Sequence, residues 1–418
     1  MSNDIFFIQD ESIVNEKIYL RFKDLIEPGD ITKNKQGYTS KFVGFIFSQN
    51  AVLVSFPKNY FDPEKIEKNN TFFGNENLLK DDTKLLFRVL QKTTNKFSDY
   101  TLGMETDLND NYPFKSFIGI YNYFLKYGLF TNEYETKKFG HTGKIDWKNT
   151  LLKSPIITDG KNVLFSPLVI KKKISEYVFI SKCMAYVINS TADYFSLFLN
   201  LKTTDLEIKD INWSNKKIIL LKLREIKQTI FKDKYKHLVD DLISFFENEN
   251  YGTDILRLKT RNFNLIWEEM IQLYLNKSFS GITENGYIEF ENKESKKNFN
   301  FKKKILRPDK SDNKRTIAPD YYLISDNNRY IFDGKYYSEI KELNYKQLAY
   351  YFLTKHYENN DSQLTTYNIL ILPTFRDNND PLNRVSHFDL KEGYNNDEKQ
   401  FSVKEQYCNI KSVMKSYL

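Results

Sequence analysis

Hydrophobic positions recur along this 418-residue chain with two different periods. Residues 1–110 contain short apolar runs, of which KFVGFIF (41–47) and AVLVSF (51–56) are the strongest. The polar residues between these runs are typical of a turn, so the pair predicts a β-hairpin. Residues 78–92 instead place apolar side chains three and four apart, which predicts a helix. The first 110 residues are therefore predicted to form a strand-rich domain.

A helical period dominates residues 111–249. Long segments with one apolar face predict several helices, at 114–130, 177–199 and 215–246, the last being one helix or two. Residues 140–171 interrupt them and predict a small β-ribbon, with strands at 163–165 and 168–170. Helices combined with a ribbon are typical of a winged-helix unit. The alternative is that the apolar helix faces only form core.

Helix and strand patterns alternate in residues 250–418. The segment 262–276 predicts an amphipathic helix with Asn262 as its cap. Its apolar face consists of Phe263, Ile266, Trp267, Met270, Ile271 and Tyr274. Two apolar strands, at 321–324 and 330–335, predict a hairpin. TYNILIL (366–372), ended by Pro373, is typical of a buried central strand. This order predicts a compact α/β domain, and hence an α+β or α/β protein of three domains (1–110, 111–249 and 250–418).

Composition adds limits to this picture. The 62 Lys and Arg against 55 Asp and Glu give a net charge of +7, which suits an anionic partner without requiring one. Two distant cysteines, Cys183 and Cys408, argue against a disulfide or a zinc cluster and favour a reducing cytoplasm. No apolar stretch approaches the length of a membrane span. We expect an intracellular protein with no membrane partner.

Candidate chemistry is concentrated around the predicted hairpin. Asp320 precedes its first strand, and Asp333 and Lys335 end the second strand on one face, because alternate residues of a strand share a face. Asp320, Asp333 and the carbonyl of Gly334 offer the oxygen ligands that Mg²⁺ prefers. Lys335 could orient or deprotonate an attacking water, or offset charge on a phosphate. The alternative is a surface hairpin with a weak Asp–Lys pair. Asp309 also follows a proline, but no apolar strand follows it, so we exclude it as a ligand.

Pro319-Asp320 followed by Asp333-Gly334-Lys335 resembles the signature of the PD-(D/E)XK nuclease superfamily. The resemblance implies a C-terminal fold with a mixed sheet flanked by helices. It also implies a Mg²⁺ cofactor, which Mn²⁺ can replace. Members typically add an acid from an earlier helix, and Glu268 in IWEEM matches that position. Helix phase leaves Glu269 open as the alternative. The implied metal ligands are Glu268, Asp320, Asp333 and Gly334.

A Q-x-x-x-Y pair lies on the helix predicted after the hairpin. Gln347 and Tyr351 are one turn apart and share a face. They resemble the accessory motif of RecB-type nucleases, in which the pair supports the site and contacts DNA. Simple packing of Tyr350, Tyr351 and Phe352 is the equal alternative.

Four segments carry a narrower resemblance: TSKFVGFIFSQNAVLVSFPKNYF, TGKIDWKNT, FNLIWEEM and the nuclease motifs. Together they resemble the LlaJI restriction endonuclease family, which is related to McrC. That resemblance implies cleavage of double-stranded DNA in antiviral restriction within a prokaryotic cytoplasm. It also implies an AAA+ NTPase partner of the McrB type and the pairing of two nuclease sites. The sequence contains no G-x-x-x-x-G-K-[ST] loop, so nucleotide hydrolysis is expected in the partner.

A basic segment at 293–315 lies just before the hairpin. It includes Lys293, Lys296, Lys297 and Lys310, and the six residues chosen as DNA contacts: Lys302, Lys303, Lys304, Arg307, Lys314 and Arg315. Such residues can follow phosphates without reading sequence. The alternative is a solvated loop. Two other functions stay open: a non-catalytic adaptor that stimulates a partner NTPase, and a stand-alone repair or RNA nuclease.

Overall fold

A computed structural model describes residues 4–48, 51–62, 76–97, 109–110, 112–160, 162–196, 201–248, 256–291, 299–357, 364–391 and 401–418. The strands are β1 (Asp4–Gln9), β2 (Ile13–Val14), β3 (Ile31–Asn34), β4 (Gly37–Ser40), β5 (Val43–Ser48), β6 (Ala51–Phe56), β7 (Asn109–Asp110), β8 (Asn132–Gly140), β9 (Lys144–Ile145), β10 (Ile156–Asp159), β11 (Asn162–Phe165), β12 (Leu168–Glu176), β13 (Leu256–Thr260), β14 (Phe279–Ile282), β15 (Ile288–Phe290), β16 (Tyr321–Ser325), β17 (Asn328–Gly334), β18 (Thr365–Thr374), β19 (Arg384–Asp389) and β20 (Ser402–Asn409). The helices are α1 (Glu16–Phe22), α2 (Glu76–Phe97), α3 (Phe114–Tyr127), α4 (Trp147–Lys153), α5 (Phe179–Tyr194), α6 (Lys216–Thr229), α7 (Asp233–Asn248), α8 (Phe263–Ser278), α9 (Tyr345–Tyr357) and α10 (Ile410–Tyr417).

The chain folds into two compact units. The first joins Met1–Tyr112 to Gly252–Leu418, and the second is Pro113–Tyr251. The described part of both units mixes helices with several small sheets, as expected for an α+β protein. The division into 1–110, 111–249 and 250–418 stays a prediction. No helix in the described ranges is long and apolar enough to cross a membrane.

The first sheet of the first unit has the order β1-β6-β5-β13-β7. The predicted hairpin is confirmed, because β5 and β6 pair antiparallel. Strand β13 pairs with β5 although it lies about two hundred positions later in the chain. Gly44 makes that pairing possible. A Cβ there would lie 2.2 Å from the Leu258 carbonyl oxygen, and its φ of +135° also favours glycine.

The second sheet of this unit has the order β16-β17-β18-β20-β19. Its three inner strands are parallel and its two edge strands are antiparallel, so the predicted mixed sheet is confirmed. A two-residue turn at Asp326 and Asn327, with φ of 50° and 60°, joins β16 to β17. The buried central strand predicted at 366–372 is confirmed as β18, although it continues through Pro373 to Thr374.

Helix α8 packs beside this sheet. Its six predicted apolar residues are all buried, which confirms the face read from the sequence. The cap prediction was half wrong: Asn262 stands at the N-cap position, but its side chain makes no capping hydrogen bond. The Asn262 backbone N–H instead donates to the Thr260 hydroxyl at 3.0 Å.

The second unit contains helices α3, α5, α6 and α7. The segment 215–246 forms two of them, α6 and α7. The two short strands predicted within 140–171 are confirmed as β11 and the start of β12. They do not form one ribbon, because β11 pairs with β10 while β12 pairs with β8 and β9 in a separate sheet. Pro167 lies between β11 and β12 and has no N–H to continue a ladder. The winged-helix interpretation stays a prediction.

Candidate active site

The carboxyl end of β17 brings the two predicted aspartates together. Asp333 is 2 % exposed on β17, and Asp320 immediately precedes β16. The Asp320 carboxylate accepts a hydrogen bond of 3.1 Å from the Gly334 N–H. A second hydrogen bond joins the carboxyl groups of Asp320 and Asp333. The antiparallel hairpin thus places the start of one strand beside the end of the other.

Lys335 lies one residue beyond β17 and is fixed at both ends. Its backbone N–H donates to the Ile371 carbonyl oxygen at 2.8 Å, and its ammonium group forms an ion pair with the Asp333 carboxylate. Burial disfavours the charged form of Lys335, but the charge and hydrogen bond of Asp333 outweigh burial and raise its pKa. Lys335 is therefore held as a cation.

Helix α8 directs Glu268 toward the same cluster and Glu269 away from it. The Tyr321 hydroxyl donates to the Glu268 carbonyl oxygen at 2.8 Å. A Cβ added at Gly334 would lie only 3.3 Å from Glu268 Cγ. The Glu269 carboxylate instead accepts a hydrogen bond of 3.2 Å from the Tyr417 hydroxyl on α10. The geometry therefore separates two residues that helix phase left equivalent.

The electrostatics of the site are those of crowded carboxylates. Burial, then the hydrogen bond and charge of Asp333, and then the charge of Glu268 raise the pKa of Asp320 to about 8. Burial also raises the pKa of Glu268, against the opposing charge of Lys303. Asp333 thus disfavours the anionic forms of both Asp320 and Glu268. A nearby cation would lower that cost.

The donor set fits a hard divalent cation. In the part of the chain that the structure describes, no three His, Cys, Asp or Glu side chains form a ready-made metal-binding group. Magnesium does not need one, since it is usually held by one or two carboxylates, waters and substrate phosphates. Asp320 and Asp333 provide two such carboxylates. Glu268 and the Gly334 carbonyl are adjacent oxygen donors.

The predicted Q-x-x-x-Y pair divides between two environments on α9. Gln347 is fully buried, and its amide nitrogen and oxygen have no hydrogen-bond partner among the described residues. Tyr351 packs on Phe401, with ring centroids 4.5 Å apart, in an apolar cluster under the sheet. Within the described ranges, Gln347 is therefore a buried amide without a hydrogen-bond partner, whereas Tyr351 contacts apolar side chains.

Tyr350 lies close to the acids, a position that the sequence did not predict. Its hydroxyl donates to the Ala318 carbonyl oxygen at 3.0 Å, two residues before Asp320. Burial and the charges of Asp333, Asp320 and Glu268 raise its pKa. Adjacent helix residues face directions about 100° apart, so Tyr350 and Tyr351 cannot both face the acids. The role of Tyr351 in the Q-x-x-x-Y pair stays a prediction.

Part of the basic segment runs beside β16. Antiparallel bridges join Lys302 to Tyr322 and Leu306 to Ile317. The Lys303 ammonium lies 4.0 Å from the Asp320 carboxylate, whereas the Lys304 ammonium lies 4.1 Å from the centre of the Tyr322 ring. Lys303 therefore lies beside the acid cluster.

The other predicted DNA contacts lie on a polar loop. Arg307 and Lys314 are exposed. Arg315 pairs with Asp309 at 3.2 Å, and the Asp309 carboxylate also accepts the Ser311 N–H at 2.8 Å. Asp309 thus closes a turn. Lys293, Lys296 and Lys297 lie outside the described residues.

Clustered carboxylates beside a lysine are the kind of site that metal-assisted phosphodiester hydrolases use. The chain belongs to the LlaJI restriction endonuclease family, whose model matches residues 42–368.

Two solved assemblies from Thermococcus gammatolerans contain similar chains. One is a half-complex from a tetradecameric assembly of McrB AAA+ hexamers with bound McrC: identity is 12%, coverage is 99% of this chain and 98% of that chain, and the TM-score is 0.39. The other is the McrBC complex: identity is 11%, coverage is 63% and 84%, and the TM-score is 0.20. No curated protein gives a significant match to the sequence.

Proposed function

We propose that this chain is a Mg²⁺-dependent endodeoxyribonuclease of a restriction system, with a PD-(D/E)XK nuclease fold built on the β16–β20 sheet. The observation that carries the proposal is the convergence of Asp320, Asp333, Lys335 and Glu268 at the end of β17. Asp320 immediately precedes β16, Asp333 ends β17 together with Gly334, Lys335 follows β17, and Glu268 lies on α8. Membership of a restriction endonuclease family supports the same chemistry.

Each residue of the cluster has a role in this proposal. When bound, Mg²⁺ supplies polarisation of the phosphate and a lowered pKa of water, and Mn²⁺ can replace it. Asp320 and Asp333 hold the cation, together with the Gly334 carbonyl and Glu268. Lys335, whose ammonium group lies beside Asp333, offsets charge on the phosphate or orients the attacking water.

The surrounding residues keep these groups in place. Tyr321 ties Glu268 to β16, and Tyr350 ties the backbone before Asp320 to α9. Gln347 supports the site through its buried amide, which a bridging water can satisfy. Tyr351 contributes by packing α9 onto the sheet.

Double-stranded DNA is the proposed substrate, held through its phosphates. Basic residues of the segment with exposed side chains include Lys302, Lys303, Arg307 and Lys314. Of these, Lys303 lies beside Asp320. Lys304 and Arg315 belong to the same segment, with contacts to Tyr322 and Asp309. These residues give affinity that weakens with salt and carries no sequence readout. Cutting both strands requires two nuclease sites, which we propose come from two copies of the chain.

We further propose an AAA+ NTPase of the McrB type as the partner. In the second unit, large apolar side chains lie exposed on α4 and on the β10–β11 ribbon: Trp147, Leu151, Leu152, Ile157, Val163 and Leu164. A protein that covered them would remove apolar surface from water, which stabilises a complex.

The proposal is tested with Asp333→Asn and Lys335→Ala in the full chain. Plasmid cleavage is measured with Mg²⁺, Mn²⁺ or chelator, with and without an AAA+ NTPase of the McrB type. We expect either substitution to lower the cleavage rate at least roughly a hundredfold, while folding and partner binding persist. Asp309→Asn, which removes a carboxylate of the nearby loop, is the matched control and should cut normally. Full cutting by either site variant overturns the proposal, and NTPase stimulation without any nicking supports the adaptor instead.

A further inference from the structure

The loop that follows β6 is largely buried although it is polar. We call residues 57–59 the 57–59 loop. Lys58 is 7 % exposed, and Asn59 has a φ of +55°, a conformation that asparagine tolerates better than most residues. The next residue, Tyr60, is also buried and donates its hydroxyl to Asp82 at 3.0 Å. The loop is thus anchored in the N-terminal part of the first unit.

This loop makes a network of hydrogen bonds with Tyr336. The Lys58 N–H donates to the Tyr336 hydroxyl at 2.8 Å, and the Lys58 ammonium donates to the Tyr336 carbonyl oxygen at 3.3 Å. The Tyr336 hydroxyl in turn donates to the Asp10 carboxylate at 3.2 Å. Both ends of Tyr336, its hydroxyl and its carbonyl, are therefore fixed by residues more than 270 positions away in the chain.

The same loop also holds the neighbouring strand. The Asn59 amide donates to the Pro373 carbonyl oxygen at 3.0 Å, near the end of β18. Two residues earlier on that strand, Ile371 accepts the backbone N–H of Lys335. Tyr336 follows Lys335 directly in the chain. The 57–59 loop thus restrains Tyr336, which follows Lys335 in the chain. It also restrains β18, which accepts the backbone N–H of Lys335.

We propose that the 57–59 loop positions Lys335 for cleavage, acting through Tyr336. The inference rests on the proposed function. A lysine has a flexible four-carbon stem, so the direction of its ammonium group depends on a fixed backbone. Apolar packing could stabilise this contact equally well, but directional hydrogen bonds restrict the backbone to one orientation. Tyr336 is therefore a positioning residue.

Tyr336→Phe is the variant that tests the inference. It removes the hydroxyl and keeps the ring, whose centroid is 5.3 Å from that of Phe263. Tyr274→Phe is the matched control. Tyr274 has the same 7 % exposure, packs its ring on Phe290 at 4.8 Å, and loses one hydroxyl contact, with Asn378. We expect Tyr336→Phe to lower kcat roughly ten- to hundredfold, with the KM for DNA unchanged. Tyr274→Phe should leave both unchanged.

A second variant and a second readout keep folding effects apart from positioning. Asn59→Gly permits the positive φ but removes the contact with Pro373, and should lower kcat in the same direction. Reductive methylation followed by peptide mass spectrometry measures how accessible the Lys335 amine is, with the exposed Lys341 as internal reference. We expect labelling of Lys335 to rise in Tyr336→Phe and not in Tyr274→Phe.

The outcomes separate this inference from the proposed function. If the wild type never cuts DNA but Lys335 labelling still rises in Tyr336→Phe, the proposed function fails and the positioning contact stands. If the wild type cuts, and Tyr336→Phe matches Tyr274→Phe in kcat, KM and labelling, the positioning role is overturned.

Discussion

At the scale of single residues, Lys303 differs from the lysine before it by its neighbours. Lys303 lies 4.0 Å from the Asp320 carboxylate, and after burial it is the strongest influence on the pKa of Glu268. The preceding residue, Lys302, is exposed. We expect Lys303→Ala to lower the cleavage rate at saturating DNA roughly tenfold or more, since it removes positive charge beside the acids and the phosphate.

Lys302→Ala is the control for Lys303→Ala. It should weaken DNA binding and reduce its salt dependence, with little change in the rate at saturation. Binding measured across a salt series, together with single-turnover cleavage, distinguishes the two effects. Equal losses of rate in both variants would contradict a special role for Lys303.

The sequence predicted the residues of the cluster better than it predicted their orientation. Asp320, Asp333 and Lys335 could be found because strand alternation and hairpin spacing are local. Glu268 and Glu269 could not be separated, because the choice depends on Tyr321 and on Tyr417, each far along the chain. Orientation about a helix axis is decided by packing partners, and those are not local.

At the scale of elements, the hairpin and the central strand were predictable and the sheet pairings were not. The hairpin β16–β17 follows from two apolar runs and a two-residue turn. By contrast, β13 joins the N-terminal sheet, and β20 inserts between β18 and β19. The β5–β13 and β18–β20 pairs each join strands that are not consecutive in sequence. No periodicity within a segment encodes its partner. The two short strands predicted within 140–171 formed, but nothing in their sequence showed that they would join different sheets.

Gly334 provides a test of how tightly β16, β17 and α8 meet. A Cβ at this position would lie 2.6 Å from the Tyr321 hydroxyl and 3.3 Å from Glu268 Cγ. We expect Gly334→Ala to lower the free energy of unfolding by about 1–3 kcal/mol and to reduce cleavage, because the buried Tyr321 ring cannot move aside freely. Urea unfolding measures the loss.

The double variant Gly334→Ala with Tyr321→Phe identifies the cause. Removing the hydroxyl removes the closest contact, so the double variant should be more stable than the sum of the two single losses predicts. Strict additivity would show that the clash with Tyr321 is not what Gly334 avoids.

At the scale of the whole molecule, the N-terminal residues and the candidate nuclease residues are parts of one compact unit. The sequence suggested separate domains because its patterns change near residue 110 and again near 250. Polar contacts across that distance, such as Lys58 with Tyr336, have no sequence pattern. Asp10 belongs to this network, and burial raises its pKa to about 6 against the opposing charge of Lys58.

The raised pKa of Asp10 predicts how stability depends on pH. The folded protein binds the Asp10 proton more tightly than the unfolded chain, whose pKa is near 3.8. This contribution to stability is therefore complete below about pH 4 and is lost as the pH rises through 6, an effect of about 3 kcal/mol. Asp10→Asn has no such proton to lose. The free energy of unfolding of Asp10→Asn minus that of the wild type should therefore rise by about 3 kcal/mol from pH 4 to pH 7.

Urea unfolding of the wild type and Asp10→Asn at both pH values measures this difference. Subtracting the free energy of unfolding of the wild type from that of Asp10→Asn removes the contribution of the other carboxyl groups, because those groups titrate in both proteins. Asp24→Asn, which removes an exposed carboxylate of the same unit, is the matched control. A difference between Asp10→Asn and wild type that stays constant with pH would contradict the prediction. It would also mean that the Asp10 carboxylate is better solvated beside Tyr336 than its burial indicates.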